Sequence, residues 1–192
     1  MNSKTAGNEF SQIIDNFLPE EEFLNIKNFL EGSNFPWSFN NSKVHDYDGK
    51  FQFTHTFFKY KKGKNSDWLN LWNNFMNKIE AKECYRIKAN MTLKTPSHEV
   101  TGWHKDNADP SLKTSIFYIN TNNGYTEFEN GVRIESVSNR ICVFDSKLIH
   151  RGVSHTLPDN YRIVVNFNYL TPHYGTTDQY EKSIKLFNEA NA

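Results

Sequence analysis

The feature that most constrains the fold is a change in the spacing of apolar residues near Cys84. From there to Leu170, apolar and polar residues alternate in short segments, and turn residues such as Asn122-Asn123-Gly124 separate them. The candidate strands are Tyr85–Leu93, Val100–His104, Thr114–Asn120, Thr126–Phe128, Val132–Ile134, Arg140–Phe144 and Arg162–Leu170. Short strands at regular spacing favour an antiparallel sandwich or barrel, so we expect a mainly β fold with flanking helices.

Helical spacing comes before this β segment. Pro19 and the acids after it are typical of a first helical turn, and the helix should end at Gly32. Ser66-Asp67 is a candidate capping pair for a second helix, and we expect Thr177–Ala190 to form a closing helix. We therefore predict a single domain, 1–192, with four parts: a flexible N-terminus (1–10), a helical support region (11–82), a β core (83–172) and a C-terminal helix (173–192).

The composition excludes several classes of protein. The formal net charge is zero and the pI is about 7.1, with the basic residues spread along the chain, which argues against a nucleic-acid partner. No segment reaches the roughly 20 apolar residues of a membrane helix, and the N-terminus lacks the apolar stretch of a signal peptide. Cys84 and Cys142 lie in apolar runs, as reduced core cysteines do. We expect a cytoplasmic protein without membrane partners.

The segment Gly102-Trp103-His104-Lys105-Asp106 carries the first chemical signal. On an extended chain His104 and Asp106 point to the same face, because they are two residues apart. His150 follows the apolar run Ile141–Phe144 and could supply a third ligand from another strand, with His155 as the alternative. Two histidines and one carboxylate leave three coordination positions open, as in non-haem iron(II) oxygenases.

Arg162 is the second signal, because it begins an apolar strand. A buried guanidinium needs an anion, and the distal carboxylate of 2-oxoglutarate would fit its planar fork. An ion pair with a protein carboxylate is the structural alternative. Alternation places Asn166 and Asn168 on the same strand face as Arg162, where they could contact a substrate. Asn90 and Thr92 could line the pocket in the same way.

The order of these motifs resembles a known family. His104-x-Asp106 comes first, followed by Thr114–Asn120 and then by Gly124-Tyr125-Thr126-Glu127-Phe128, which is similar to a Gly-Gly-x-Thr-x-Phe motif. His150 and Arg162 come last. The run from Tyr85 to Leu170 thus resembles the prolyl-4-hydroxylase-like branch of the 2-oxoglutarate/Fe(II) oxygenase superfamily. It is most similar to small phage-encoded and bacterial members, and a phage-encoded member would act in the host cytoplasm.

The resemblance implies a double-stranded β-helix, the jelly-roll or cupin-like core of that superfamily. It implies Fe(II) on His104, Asp106 and His150, and 2-oxoglutarate on Arg162 with help from Tyr118, which could equally be a packed strand aromatic. O2 would be the oxidant and ascorbate a candidate reductant. Two departures affect the pocket. Thr92 stands where many relatives have a tyrosine that contacts the co-substrate, and Tyr125 replaces the second glycine of the hairpin motif.

The leading prediction is hydroxylation of a protein or peptide (prolyl-type) substrate with release of succinate and CO2. Asp106 argues against a halogenase, in which halide would take the position of the carboxylate. A small-molecule hydroxylase of the same superfamily is the main alternative. A nucleic-acid demethylase is disfavoured, because that branch usually has a second arginine six residues after the first, where this chain has Asn168. A non-catalytic binding module would have no need for the metal ligands.

Overall fold

The computed structural model describes residues 10–43, 50–60, 62–64 and 66–172. It contains eleven strands, which are β1 (Phe10–Ile14), β2 (Ser38–Asn40), β3 (Gln52–Lys59), β4 (Gly63–Lys64), β5 (Glu83–Leu93), β6 (Leu112–Tyr118), β7 (Tyr125–Phe128), β8 (Arg133–Glu135), β9 (Arg140–Asp145), β10 (His150–Val153) and β11 (Tyr161–Leu170). The helices are α1 (Glu20–Glu31), a 3₁₀ helix (Asp67–Trp72) and α2 (Asn73–Lys78). No helix in these ranges is both long and apolar enough to cross a membrane.

The strands form two antiparallel sheets. The large sheet has the order β1-β9-β6-β11-β5-β3-β2, with β4 paired to β3, and the small sheet has the order β10-β7-β8. Every strand pair in the described part of the chain is antiparallel. This arrangement confirms the predicted mainly β fold with a double-stranded β-helix core.

The large sheet separates two hydrophobic clusters. On one face, Ile163, Val165 and Phe167 of β11 pack with the helices, which contribute buried residues such as Phe23 and Trp72. On the other face a smaller cluster joins the two sheets and consists of Ile116, Tyr118, Phe128, Ile134, Cys142, Phe144 and Val164. The period-two alternation of β11 therefore assigns one face to structural packing and leaves the other, with Arg162, for the space between the sheets.

The first helix begins and ends where the sequence predicts. Pro19 precedes it, three acids occupy its first turn, and it ends before Gly32. The second predicted helix also begins at its cap, because the Ser66 hydroxyl accepts a hydrogen bond from the Trp68 backbone N–H at 3.3 Å. It divides into the 3₁₀ helix and α2. Asparagine has a weak helix propensity, and Trp72, at the junction of the two helices, packs edge-on against Phe57.

Other expectations need correction. The predicted helical support region, 11–82, also contributes strands, because β2, β3 and β4 lie within it and β1 begins at Phe10. The segment Val100–His104 is not a continuous strand and makes only isolated bridges at its two ends, to Val153 and His150. The strand β10 was not predicted. The predicted C-terminal helix and residues 1–9 of the N-terminus that was predicted to be flexible lie outside the described residues.

Candidate active site

Backbone hydrogen bonds hold His104 and His150 side by side. The N–H of each residue donates to the carbonyl of the other at 3.0 Å, which forms an isolated antiparallel bridge. The centroids of the two imidazole rings are 4.5 Å apart. The bridge therefore brings a ligand from the segment before β6 next to a ligand at the start of β10, although the two residues are distant in the sequence.

Each imidazole is oriented by a neighbouring carbonyl. His104 Nδ1 lies 3.1 Å from the Gly102 oxygen, and His150 Nδ1 lies 3.0 Å from the Leu148 oxygen. A carbonyl can only accept, so Nδ1 is the donor in each ring. In a neutral imidazole this tautomer leaves the Nε2 lone pair free, as in metal-binding histidines. Burial is the main cause that lowers the pKa of His150, which favours the neutral form that binds metals.

Asp106 completes the group. One ligand atom from each of His104, Asp106 and His150 lies within 4.8 Å of the other two, the spacing that a single metal ion requires. Asp106 Oδ1 accepts from Arg86 Nη2 at 3.1 Å, and Oδ2 accepts from Asn168 Nδ2 at 3.3 Å. Burial acts to raise the pKa of Asp106, but Arg86, both imidazoles and Asn168 outweigh it and hold the pKa below its usual value. The carboxylate is therefore ionised.

His155 does not join this group. It is fully buried in the loop that follows β10, and its Nε2 lies 3.1 Å from the Asp159 carbonyl oxygen of the same loop. The structure thus brings His150, rather than its rival, to His104 and Asp106. His55 and His98 bond to backbone and hydroxyl oxygens instead.

The three candidate ligands open into a cavity of about 450 Å³ between the two sheets. Its walls come mainly from β10 and from the face of β5 and β11 that carries Arg162 and is turned away from the helices. Charged residues of the described chain that line it are Lys43, Arg86, Lys88, Lys105, Asp106 and Arg162. Five of these six are cations, so the cavity is suited to anionic ligands.

Arg162 lies in this cavity and is almost completely buried. Its Nε donates to the Ser136 hydroxyl at 2.7 Å, and its guanidinium carbon lies 5.7 Å from the centre of the Tyr118 ring. Within the described residues it forms no ion pair with a carboxylate, which removes the structural alternative there. Burial lowers the pKa of Arg162, although an arginine remains charged. A buried cation with only neutral partners is costly unless an anion binds beside it.

Gly124 makes room for this arginine. A Cβ added at Gly124 would lie 2.9 Å from Arg162 Cδ and 3.0 Å from the Val153 carbonyl oxygen. A side chain at this position would therefore displace the arginine or the β10 backbone. The conformation of Gly124 is ordinary, so close approach alone explains why glycine suits this position.

Of the remaining predicted residues, three line the cavity and two, Tyr118 and Asn168, lie outside its lining. Asn90, Thr92 and Asn166 line the cavity. The Tyr118 hydroxyl donates to Thr126 Oγ1 at 2.9 Å, and burial raises the pKa of Tyr118. Asn168, predicted as a substrate contact, instead lies behind Asp106, where its amide also donates to Thr114 Oγ1 at 2.9 Å.

Arg86 and Lys88 are cavity residues that the sequence analysis missed. They continue the alternation of Asn90 and Thr92 on β5, so the same period of two that selected those residues could have selected them. Ser136, which binds Arg162, has no comparable sequence signal, because it follows β8 at a distance of 26 residues from its partner.

The chain is similar to known proteins in its fold and not in its sequence. No family model matches the sequence, and no curated protein matches it. Solved structures do match. An oxidoreductase of the 2OG-Fe(II) oxygenase family from Burkholderia pseudomallei is 12% identical with a TM-score of 0.60, covering 82% of this chain and 84% of that one. The chain has the 2OG-Fe(II) oxygenase fold.

Two further neighbours differ in what they bind or make. A prolyl hydroxylase from Trichoplax adhaerens, in complex with a peptide fragment of the hypoxia inducible factor oxygen degradation domain, is 16% identical with a TM-score of 0.58; 93% of this chain and 87% of that one are covered. The α-ketoglutarate-dependent epimerase SnoN from nogalamycin biosynthesis is 9% identical with a TM-score of 0.55, with 85% and 83% covered. The same fold thus serves peptide and small-molecule chemistry in these neighbours.

Proposed function

We propose that the protein is an Fe(II)- and 2-oxoglutarate-dependent dioxygenase that hydroxylates its substrate and releases succinate and CO2. One observation supports this most directly. The three candidate metal ligands and a buried arginine without a carboxylate partner among the described residues open into the same cavity. A metal site alone would suit several divalent ions, but a metal site with a separate carboxylate receptor suits a chelating dicarboxylate.

His104, His150 and Asp106 would hold the iron, with Nε2 of each imidazole and one carboxylate oxygen as ligands. Two nitrogens and one oxygen on one face fit iron(II) and leave positions for other ligands. Arg86 and Asn168 fix the carboxylate by binding one oxygen each. Iron with 2-oxoglutarate would supply the activation of O2, coupled to decarboxylation of the co-substrate.

Arg162 would receive the distal carboxylate of 2-oxoglutarate and set its direction. Thr92 is the β5 residue paired with Arg162, and Asn90 is paired with Val164, so both lie beside the co-substrate path. Tyr118 would contribute its hydroxyl to the same carboxylate by turning from Thr126. The apolar side chains of Ile116 and Val164 line the cavity and would exclude water from the chelated end.

For the substrate, we propose a protein or peptide of the prolyl type, with a small-molecule hydroxylase as the second candidate. The peptide bound to the Trichoplax adhaerens neighbour supports the first, and the biosynthetic neighbour supports the second. A nucleic-acid demethylase has less support, since Asn168 binds Asp106 and the net charge is zero. Asn166 is the predicted substrate contact that lines the cavity.

The test uses a host-cell lysate, separated into protein and small-molecule fractions, with the purified enzyme, Fe(II), 2-oxoglutarate, O2 and ascorbate as reductant. We expect succinate to form, and mass spectrometry should find a compound that gains one oxygen atom. The fraction containing that compound identifies the substrate class. Asp106→Ala is the control for both signals, because it removes a metal ligand. Succinate at the Asp106→Ala level in both fractions would contradict the proposal.

The branch, origin and location of the protein are also proposals. We place it in the prolyl-4-hydroxylase-like branch as a small phage-encoded or bacterial member that acts in the cytoplasm, within the host if phage-encoded. Support comes from the motif order alone. Neighbouring genes test the origin, and phage structural genes on both sides would support it.

A further inference from the structure

Polar groups without partners lie where β5 and β11 pair along one wall of the cavity. Arg86 Nε and Asn166 Oδ1 are buried and make no hydrogen bond in the described structure. Between them, Lys88 is half-buried and lines the same cavity. Within the described residues, its ammonium forms neither a hydrogen bond nor an ion pair. Buried polar groups are normally satisfied, so such a cluster in a cavity indicates a ligand group that binds there.

The strand register places these three groups together. Lys88 is the direct partner of Asn166 across β5 and β11, where opposite Cβ atoms lie about 4.5–5.5 Å apart. Arg86 lies two residues from Lys88 on the same strand face. Arg86 also binds Asp106 through Nη2, so the cluster is adjacent to the candidate metal ligands. We call Arg86, Lys88 and Asn166 the lysine subsite.

The lysine subsite is separate from the place proposed for the distal carboxylate of 2-oxoglutarate. Arg162 is paired with Thr92, which is four residues from Lys88 and therefore about 13 Å away along β5. The metal ligands are closer to the Lys88 end, because Asn168 contacts Asp106 and is paired with Arg86. The lysine subsite therefore lies at the metal end of the cavity, where the second reactant must approach the iron, and the Asn90 and Val164 row separates it from the Arg162 row.

The charge of the cavity favours an anion at this position. Five cations and one carboxylate of the described chain line it. Iron(II) and doubly ionised 2-oxoglutarate have equal and opposite charges, so loading both would leave the excess of positive charge unchanged. Burial, with Arg86 and Lys59 nearby, lowers the pKa of Lys88 to about 8, although Asp106 acts against this. An anion bound there would remove the cost of this crowding.

We propose that the substrate carries an oxyanion group, a carboxylate or a phosphate, that binds Lys88 Nζ and Arg86 Nε. This inference rests on the proposed function, because it assigns the substrate end of that site. Asn166 would accept a hydrogen bond from a neighbouring N–H or O–H of the same substrate. The group that reacts would then lie between the lysine subsite and the metal.

The test is calorimetry on the full chain, with Mn(II) as a redox-inert replacement for iron. The first titration, with 2-oxoglutarate, reports on the proposed function alone. The second uses small carboxylates, L-amino acids and phosphate monoesters, each paired with its neutral amide or alcohol. If the first titration fails, the second is performed on the metal-free protein, which retains the cavity. The failure of one proposal is thereby distinguished from the failure of the other.

We expect acids to bind and their neutral partners to bind about tenfold or more weakly. Lys88→Met should weaken acid binding by a similar factor, and Lys88→Arg should restore the preference for acids. Lys27→Met removes the same charge from the surface of α1, where Lys27 pairs with Glu31, and should change nothing. Thermal unfolding checks that each variant is folded. Which class binds identifies the oxyanion.

Four results would overturn the proposal. The first is that the neutral partners bind as tightly as the acids. The second is that Lys88→Met binds the acids as tightly as the parent protein does, and the third is that no acid in the panel binds. The fourth is a Lys88→Met variant that loses affinity for 2-oxoglutarate and not for the acids, which would mean that Lys88 serves the co-substrate.

Discussion

At the scale of single residues, Arg162 is the residue whose burial most clearly requires a bound anion. Its guanidinium is buried beside a hydroxyl and an aromatic ring, and the cost of that burial is offset only when an anion arrives. Arg162→Leu should therefore raise the Kd for 2-oxoglutarate roughly 10- to 100-fold and change the Kd for Mn(II) by less than about threefold. Calorimetry measures both constants. Equal loss of both affinities would contradict the role of Arg162 as a carboxylate receptor.

Gly124 tests the same assignment by sterics instead of charge. Gly124→Ala would place a Cβ 2.9 Å from Arg162 Cδ, which should destabilise the fold by about 1–3 kcal/mol and weaken 2-oxoglutarate binding. Gly152→Ala is the stability control, because its added Cβ meets nothing closer than 3.8 Å. Chemical denaturation measures the difference. A Gly124→Ala protein as stable as the control, with unchanged 2-oxoglutarate affinity, would contradict this packing.

The pKa of Lys88, about 8, predicts a pH dependence for the lysine subsite. Below this pKa the ammonium is charged and binds an oxyanion, and above it the neutral amine does not. Acid affinity should therefore be constant near pH 7 and fall by up to about tenfold per pH unit above the pKa. Titrations between about pH 7 and about pH 9.5 measure it. The acid affinity of Lys88→Arg should stay constant over that range, because arginine remains charged. A parallel decline of acid affinity in both proteins would assign the effect to another group.

At the scale of secondary structure elements, β5 and β11 do most to build the site. They are paired along ten residues of β11, so four successive rows of cavity-facing side chains are in fixed register. The rows begin with Thr92 and Arg162 and end with Arg86 and Asn168. Because the opposite faces of the same strands pack against the helices, the site and the main hydrophobic cluster share strands but no side-chain face.

This separation predicts that packing can be weakened without changing the site. Trp72 is fully buried, with its ring centroid 5.3 Å from that of Phe57 and 5.2 Å from that of Phe167. Trp72→Ala should cost about 3–5 kcal/mol of the free energy of unfolding and leave 2-oxoglutarate affinity unchanged in the folded protein. Trp68→Ala, at a tryptophan that is 40% exposed, should cost less than half as much. Denaturant titration compares the two, and similar costs would contradict the packing described.

At the scale of the whole molecule, local periodicity explains what could be predicted. Alternation is clear in β5, whereas β6, β9 and β11 are mainly apolar runs of strand length. The shared face of His104 and Asp106 was predicted from their spacing. β1 was missed because it is stabilised by pairing with β9, about 130 residues away, and not by its own pattern. The position of Asn168 was predicted less well, since alternation gives the face of a strand but not the neighbour that a side chain contacts.

The most direct test of the central claim is spectroscopic. Anaerobic addition of Fe(II) and 2-oxoglutarate to the protein should give a weak visible metal-to-ligand charge-transfer band, because the co-substrate chelates iron held by His104, Asp106 and His150. His104→Ala should remove this band while retaining the circular dichroism of the folded protein. The absence of the band in the well-folded parent protein would contradict the assignment, and its persistence in His104→Ala would contradict the choice of ligands.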